Sequence, residues 1–258
     1  MIKAENISYS IKGKNLLHGI SLSFNPDEIS MIIGPNGAGK STLIKLLSQQ
    51  ISCTSGNIQY NNRDMKLFAK SELAKVRAVL SQNTHMVFPL SVEEVVMMGR
   101  YPHFHDKPTR LDKEICEQTM AFFKVDEMAK RNYLTLSGGE QQRVHFARVT
   151  AQIWPDNTKS TKVLLLDEPL TYLDIYYQHE FLTILKQLMQ LQSMVIIGVV
   201  HDLNLAYKFA DKVTLLSKGN LLAHGNTELV CTKENIKKAF LIEPSILKNE
   251  KGERFLCF

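Results

Sequence analysis

The stretch GPNGAGKST, residues 34–42, constrains the fold of this chain more than any other part of the sequence. It follows EISMII, an apolar run that predicts a strand, and precedes LIKLLSQQ, which predicts a helix. Its three glycines let backbone N–H groups turn toward an anion without a Cβ in the way. The following helix N-terminus adds a dipole that favours negative charge. The sequence therefore predicts a phosphate-binding loop within an α/β fold.

The spacing Gly34-x4-Gly39-Lys40-Ser41 matches the phosphate-binding loop (P-loop) of nucleotide hydrolases and kinases. We predict that Lys40 reaches the β and γ phosphates as a point charge and that Ser41 ligates Mg²⁺. The loop residues predicted to bind the nucleotide are Gly34, Pro35, Asn36, Gly37, Ala38, Gly39, Lys40, Ser41 and Thr42. This loop alone does not separate kinases, GTPases and motor ATPases.

A second motif, VLLLDEP, is acidic and narrows the range of reactions that the chain could catalyse. Four apolar residues predict a buried parallel strand, and Asp167 and Glu168 follow at its end. Asp167 is predicted to hold the hydrated Mg²⁺. Glu168 is predicted to orient and polarise the attacking water, an effect of about 10²–10⁴ in rate. The pair predicts hydrolysis of a nucleoside triphosphate.

A third motif, LSGGEQQR at 136–143, places Ser137 and two glycines before a helix predicted to begin near Glu140. Exposed N–H groups, a hydroxyl and a helix N-terminus form another anion site. One chain therefore carries two half-sites for phosphate. A two-fold pair of subunits uses both, because each subunit gives its P-loop to one nucleotide and its Ser-Gly-Gly to the other.

With these motifs, the chain resembles the ATP-binding cassette (ABC) ATPases over essentially its whole length. The resemblance implies that Ser137, Gly138, Gly139 and Glu140 belong to the signature that contacts ATP. It also assigns four isolated residues. Tyr9 would stack on adenine, Gln82 would sense Mg²⁺ and water, Asp174 would communicate across the dimer, and His201 would act as a switch near the γ-phosphate.

The DEPLTYLD segment departs from the DEPTSALD of many relatives. Leu170 and Tyr172 replace smaller or polar residues, whereas Asp174 is retained. We expect activity to persist and the fit of the dimer near this loop to differ.

The predicted fold class is α/β, a P-loop NTPase cassette with a mostly parallel core sheet, an N-terminal antiparallel β subdomain and an inserted α-helical subdomain. NISYSI and HGISLSF alternate as a hairpin, MVIIGVVH predicts a buried strand, and DKVTLLSKGNLLAHG predicts strand, turn and strand. We predict one cassette over 1–258, with the core at 1–82 and 152–258 and the helical subdomain at 83–151. One helix is expected to bury a face made of Phe181, Ile184, Leu185, Leu188 and Leu191.

Composition and length limit what the ATP is used for. The net charge of +5 is spread without a long basic run, and no apolar run approaches the roughly 20 residues of a membrane helix. The four cysteines are far apart, which favours reduced thiols in the cytoplasm. The single cassette has neither fused membrane helices nor long coiled coils, so a separate subunit of a membrane transporter is the leading interpretation.

The segment NTHMVFPLSVEEVVMMGRYPHFHD resembles the corresponding stretch of importers for iron–siderophores, cobalamin and haem. We predict that a permease docks near residues 83–105, where Met86, Val87 and Phe88 are expected to be exposed. An ordinary loop packed on its own domain is the alternative. His103 and His105 are interpreted as surface residues rather than ligands of haem or metal.

The segment ARVTAQIWPDNTKSTKVLLLDEP, with its polar insert, resembles the haem (hemin) importer ATPases. We therefore predict a homodimeric, Mg²⁺-dependent ATPase at the cytoplasmic face of the cell membrane. It would drive haem import through a separate permease dimer, with a periplasmic or surface substrate-binding protein acting indirectly and no nucleic acid involved. Two alternatives remain open: siderophore or cobalamin as cargo, and an ABC protein without a permease that acts on nucleic acid or ribosomes.

Overall fold

The computed structural model describes residues 1–81, 86–155, 160–171, 173–248, 250 and 254–258. The chain packs into two compact units. The first comprises Met1–Leu67 and Val195–Phe258, and the second comprises Phe68–Met194. This division does not test the boundaries predicted for the ATP-binding core and for the helical subdomain, which remain predictions.

The described residues form both strands and helices in each of the two units. The strands are β1 (Ile2–Ile11), β2 (Lys14–Phe24), β3 (Glu28–Ile33), β4 (Ser55–Tyr60), β5 (Arg63–Asp64), β6 (Arg77–Leu80), β7 (Lys162–Asp167), β8 (Met194–Val199), β9 (Lys212–Ser217), β10 (Asn220–Asn226), β11 (Ser245–Lys248) and β12 (Arg254–Cys257). The α-helices are α1 (Lys40–Leu47), α2 (Lys70–Val76), α3 (Val92–Met97), α4 (Arg110–Phe122), α5 (Gly138–Gln152), α6 (Ile175–Leu191), α7 (Leu203–Phe209), α8 (Thr227–Val230) and α9 (Lys233–Phe240). Short 3₁₀ helices lie at Met65–Leu67, Met98–His103, Asp126–Met128 and Tyr133–Thr135.

The first unit contains the predicted N-terminal antiparallel sheet, in the order β2-β1-β4-β5. β1 and β2 form the predicted hairpin, with Ile7 opposite Ile20 and Tyr9 opposite Leu17. Ile7 and Ile20 are buried, as the alternating pattern requires, and Leu17 is also buried because the register shifts between Ile7 and Tyr9.

The same unit holds the strand that leads into the P-loop. β3 pairs in parallel with β8 on one side and with β9 on the other, and β10 pairs antiparallel with β9. β3 and β8 are buried on both faces and mostly apolar, which is typical of a parallel strand covered on both sides. The predicted α/β fold class is confirmed.

Near the C-terminus, β11 and β12 pair antiparallel in the first unit. The Asn204 side chain of α7 holds β12, because its amide donates to the Leu256 carbonyl at 3.0 Å and its oxygen accepts from the Leu256 N–H at 2.8 Å. The end of the chain is thereby fixed to the helix that follows His201.

The second unit contains the parallel pair β6 and β7 and the helices α2 to α6. Phe146 of α5 stacks on Phe181 of α6 with ring centroids 3.7 Å apart. The predicted buried face of α6 is correct at Phe181, Leu185 and Leu188 but wrong at Leu191, which is exposed. Leu191 ends the helix beyond the packed core. Leu182 and Leu185 line the core, and Ile184 is half-buried.

Within the described residues, no helix is long and apolar enough to cross a membrane. All four cysteines, Cys53, Cys116, Cys231 and Cys257, are free thiols. Burial raises the pKa of the Cys116 and Cys231 thiols to about 12. These two cysteines therefore remain protonated packing residues near neutral pH.

A buried ion pair stabilises the helical part of the second unit. Arg100 Nε lies 3.0 Å from Asp112 Oδ1, and the two residues are only 4% and 2% exposed. Arg100 also donates to the Ala151 carbonyl at 2.7 Å, which ties α4 to the end of α5. Burial alone would raise the pKa of Asp112, but hydrogen bonds from Thr109 and Arg100 outweigh it and lower the pKa.

We expect Asp112→Asn to destabilise the protein by about 3–5 kcal/mol at pH 7, because it leaves a buried guanidinium without its carboxylate. Urea unfolding followed by circular dichroism measures this. Glu114→Gln on the same helix is the control; it breaks an exposed pair with Arg110 and should cost at most about 1 kcal/mol.

The difference between wild type and Asp112→Asn should shrink on acidification. The lowered pKa of Asp112 means that its contribution is present above the unfolded-state pKa and is lost as the pH falls through the folded-state pKa. An equal cost for Asp112→Asn and Glu114→Gln at pH 7 would contradict this role of the pair.

Candidate functional site

The P-loop lies between β3 and α1 in the first unit, as predicted. A Cβ at Gly34 would lie 2.2 Å from the Leu216 carbonyl oxygen, and one at Gly39 would lie 2.6 Å from Leu17 Cδ2. Gly34, Gly37 and Gly39 all have positive φ, at 148°, 76° and 100°. Glycine is therefore required where the loop leaves the sheet and where it enters the helix.

Lys40 is the first residue of α1, and its side chain is buried within the loop. Its ammonium donates to the carbonyl oxygens of Gly34 and Pro35 at 2.8 and 3.0 Å. Ser41 and Thr42 follow in the first turn and are half-buried, and Asn36 and Gly37 are exposed. The loop thus has the form of a phosphate cradle, with a cation held at its base and exposed backbone above it.

The structure brings His201 to the same sheet edge as the P-loop. The Val200 N–H donates to the Ile32 carbonyl at 3.2 Å, so β8 and β3 end side by side. His201 follows Val200 and is exposed. Asp202 then caps α7 by accepting from the N–H groups of Asn204 and Leu205. Tyr9, in β1 of the same unit, is half-buried.

Asp167 and Glu168 lie in the second unit, at the end of β7. Asp167 is buried, in agreement with its position at the end of a buried strand. Glu168 has a φ of 53°, in the left-handed region that residues other than glycine rarely adopt. Thr171 Oγ1 donates to the Glu168 carbonyl at 3.0 Å, and Gln142 Nε2 donates to the Pro169 carbonyl at 2.8 Å.

The signature residues form the N-terminus of α5. The helix begins at Gly138 rather than near Glu140, so that prediction was two residues late. Ser137 is the N-cap and forms a capping box with Glu140: Ser137 Oγ accepts from the Glu140 N–H, and the Glu140 carboxylate accepts from the Ser137 N–H at 2.7 Å. The hydrogen bonds that the Ser137 backbone N–H and then its hydroxyl donate to this carboxylate lower the pKa of Glu140.

A buried polar pair supports the signature from below. Tyr133 Oη lies 2.8 Å from His145 Nε2. Tyr133 precedes the signature in the chain, and His145 lies within α5. The Gln141 amide donates to the Leu136 carbonyl at 3.1 Å. This support was not predicted from the sequence, although a histidine on an apolar helix face is a signal that could have indicated it.

Asp174 is the N-cap of α6, where its Oδ1 accepts from the Tyr177 N–H at 2.9 Å. In the segment DEPLTYLD, which differs from the DEPTSALD of many relatives, Leu170 is buried and Tyr172 lies outside the described residues. Gln178 Nε2 donates to the carbonyls of Leu170 and Leu173, at 3.3 and 3.0 Å. The backbone at Leu170 and at Leu173 is thus held by the helix that Asp174 caps.

The candidate site residues are divided between the two units. Tyr9, the P-loop and His201 lie in the first, and the signature, Asp167, Glu168 and Asp174 lie in the second. Gln82, predicted to sense Mg²⁺ and water, lies outside the described residues.

The predicted docking segment is exposed in part. Val87 and Phe88 are 75% and 69% exposed, whereas Met86 is half-buried, so the expectation of three exposed apolar residues was wrong for Met86. His103 Nε2 lies 2.8 Å from the Gln152 carbonyl oxygen, and burial, the largest effect, lowers the pKa of this imidazole. His103 therefore has a structural contact of its own, and His105 is exposed.

Comparison with known proteins identifies the family. The sequence profile of the family described as ABC transporter matches residues 17–171, which is more than half of the chain. The chain is 42% identical over 249 residues to the hemin import ATP-binding protein HmuV of Escherichia coli O157:H7, covering 96% of this chain and 95% of that protein. It is 40% identical over 251 residues to the protein of the same name from Gloeobacter violaceus, covering 97% and 91%.

The structure is also similar to a solved ABC transporter described as of the metal-chelate type, in an inward-facing conformation. The alignment covers 100% of this chain and 97% of the solved chain. The TM-score is 0.83 and the identity is 26%. The resemblance inferred from the phosphate-binding and signature motifs is confirmed. The chain belongs to the ABC transporter family, as one of its ATP-binding and ATP-hydrolysing subunits.

Proposed function

We propose that this chain is the ATPase subunit of an importer that takes up haem (hemin) through a separate permease. The observation that carries the proposal is the 42% and 40% identity, over nearly the full length, to two proteins named for hemin import. The metal-chelate type of the solved relative supports a cargo of chelated metal. Siderophore and cobalamin complexes belong to the same broad class of cargo and are the competing cargoes.

In the proposed mechanism the P-loop binds the triphosphate of ATP. Lys40 moves its ammonium from the loop carbonyls that now hold it to the β and γ phosphate oxygens. Backbone N–H groups of the loop and the N-terminus of α1 stabilise the remaining negative charge. The absence of room for a Cβ at Gly34 and Gly39 fits this close approach of backbone to phosphate.

Ser41, Asp167 and Gln82 are the proposed residues for Mg²⁺, which neutralises charge on the phosphates when it is bound. A hydroxyl at the start of α1 and a buried carboxylate at the end of β7 are oxygen ligands of the kind Mg²⁺ prefers. Glu168 is the proposed general base for the attacking water, and His201 the proposed switch near the γ-phosphate.

The active form in this proposal is a homodimer. Ser137, Gly138 and Gly139 of one subunit contact the ATP bound by the P-loop of its partner, and Asp174 contributes near the seam. Two ATP molecules close the dimer, closure moves the permease through its contact near residues 83–105, and hydrolysis resets the dimer. The subunit acts peripherally at the cytoplasmic face of the membrane, and a substrate-binding protein delivers the haem from outside.

Glu168→Gln should lower kcat for ATP hydrolysis by about 10²–10⁴, because an amide does not accept the proton of the attacking water. ATP binding should be retained, and the variant should accumulate as a dimer in ATP. Phosphate release and size-exclusion chromatography measure the two effects. Glu117→Gln, an exposed glutamate on α4, is the control and should hydrolyse ATP like wild type. Wild-type hydrolysis by Glu168→Gln would rule out Glu168 as the base.

Lys40→Ala should weaken ATP binding about 10- to 100-fold, because a charged hydrogen-bond donor to phosphate is lost. Equilibrium titration with a fluorescent ATP analogue measures the Kd. Lys45→Ala removes an exposed lysine from the other end of the same helix and should leave the Kd unchanged. Equal affinity of wild type and Lys40→Ala would exclude the proposed cradle.

Co-purification tests the transporter and its cargo. The tagged chain, extracted from its own cells in mild detergent, should bring down a polytopic membrane protein. In vesicles that contain this complex, hemin-loaded binding protein should stimulate ATP hydrolysis several-fold, whereas siderophore or cobalamin complexes should not. A nucleic-acid partner with steep salt dependence, and no membrane protein, would overturn the proposal.

Phe88→Asp should abolish this co-purification, because it places a charge within the proposed apolar contact. Leu67→Asp is the matched control: Leu67 is 68% exposed, close to the 69% of Phe88, but lies in the first unit. Loss of the membrane partner in both variants, or in neither, would remove the docking segment from the proposal.

A further inference from the structure

The turn that carries Glu168 has a backbone conformation that needs outside support. Glu168 has a φ of 53°, and the proline that follows further restricts the residue before it. A residue other than glycine keeps such a conformation only where surrounding contacts hold it. The direction of the Glu168 carboxylate depends on this turn, because the side chain leaves the backbone there.

Two hydrogen bonds hold the turn at successive carbonyls. Thr171 Oγ1 donates to the Glu168 carbonyl at 3.0 Å, from within the same loop. Gln142 Nε2 donates to the Pro169 carbonyl at 2.8 Å, from helix α5. The second contact joins segments 27 residues apart in the chain, and it is the one that reaches the turn from the signature helix.

We propose that Gln142 is a positioning residue for ATP hydrolysis, which holds the Glu168–Pro169 turn so that the Glu168 carboxylate faces the attacking water. Gln142 does not contact ATP in this proposal. It acts through the backbone of Pro169, and its amide N–H is the group that matters.

The position of Gln142 gives this contact a further consequence. Gln142 lies in α5 one turn after Gly138 and Gly139, the glycines of the signature. In the proposed dimer, on which this step rests, the signature contacts the ATP of the partner, whereas Glu168 serves the ATP of its own subunit. A shift of α5 on contact with one ATP therefore reaches the base that acts on the other ATP.

A second glutamine also donates to carbonyls of this loop, but from a different helix. Gln178 Nε2 donates to the carbonyls of Leu170 and Leu173, but it belongs to α6, which follows the loop in the chain. It fixes the approach to Asp174 rather than the Glu168–Pro169 turn. Gln142 is thus distinguished by its helix as well as by its acceptor.

Gln142→Met tests the role, because methionine has a similar length and lacks the N–H donor. The matched control is Gln192→Met: Gln192 is also half-buried in the second unit, and its Nε2 donates to the Ile153 carbonyl at the same distance, 2.8 Å. In the purified full-length chain, Gln142→Met should lower kcat at least tenfold and leave the KM and Kd for ATP unchanged. Gln192→Met should show a similar change in Tm and a wild-type kcat.

A double-mutant cycle separates positioning from general loosening. In the Glu168→Gln background, adding Gln142→Met should not lower the residual hydrolysis further, because the group that Gln142 positions is already absent. Multiplicative losses, equal kcat in Gln142→Met and Gln192→Met, or a matching loss of ATP affinity would each overturn the proposal. These assays use ATP alone, so a failure of hemin to stimulate hydrolysis would refute the cargo and leave this result standing.

Discussion

The close approach of the backbone at Gly34 to the neighbouring strand β9 determines the geometry of the phosphate-binding loop. A Cβ there would lie 2.2 Å from the carbonyl oxygen of Leu216 in β9, a distance that no other residue type tolerates without movement of the backbone. The approach is this close because parallel pairing of β3 and β9 places Ile33 beside Leu215. The loop begins where these strands are still in contact, so its N–H groups and the first turn of α1 gather at one sheet edge. Long-range strand pairing thus fixes the cradle and the position of Lys40 within it.

In the second unit, side chains rather than a glycine stabilise an unusual backbone conformation. The turn after β7 has a positive φ at Glu168, and a glycine there would remove the carboxylate that we propose as the general base. Amide and hydroxyl donors from Gln142 and Thr171 hold that backbone. The signature is stabilised in the same manner, by the capping box of Ser137 and Glu140. Capping leaves the N–H groups of Gly138 and Gly139 at the helix N-terminus, which suits an anion that arrives from outside the chain.

The sequence predicted those features that depend on local patterns. Apolar runs predicted β3, β7 and β8, and the glycine-rich motifs predicted the loop before α1 and the N-terminus of α5. Features that depend on how far a packed core extends could not be predicted from the sequence. The helical period predicts which residues of α6 share a face, but Leu191 lies past the end of that core and is exposed. The contact between Gln142 and Pro169 was also missed, because spacing does not show which carbonyl a glutamine reaches.

In the proposed transporter, the residues that distinguish one cargo from another should lie away from the nucleotide site. Phosphate-binding and signature residues serve ATP whatever is transported, so they do not distinguish haem from another chelate. The surface that a permease would contact is a better place to look for that distinction. There Arg100 is fixed by Asp112 and the Ala151 carbonyl, while the neighbouring Tyr101 remains exposed. Val87 and Phe88 add exposed apolar area in the same unit. In the proposed transporter, exposed aromatic and aliphatic side chains such as these would contact the permease, so the choice of permease, and through it of cargo, would depend on them.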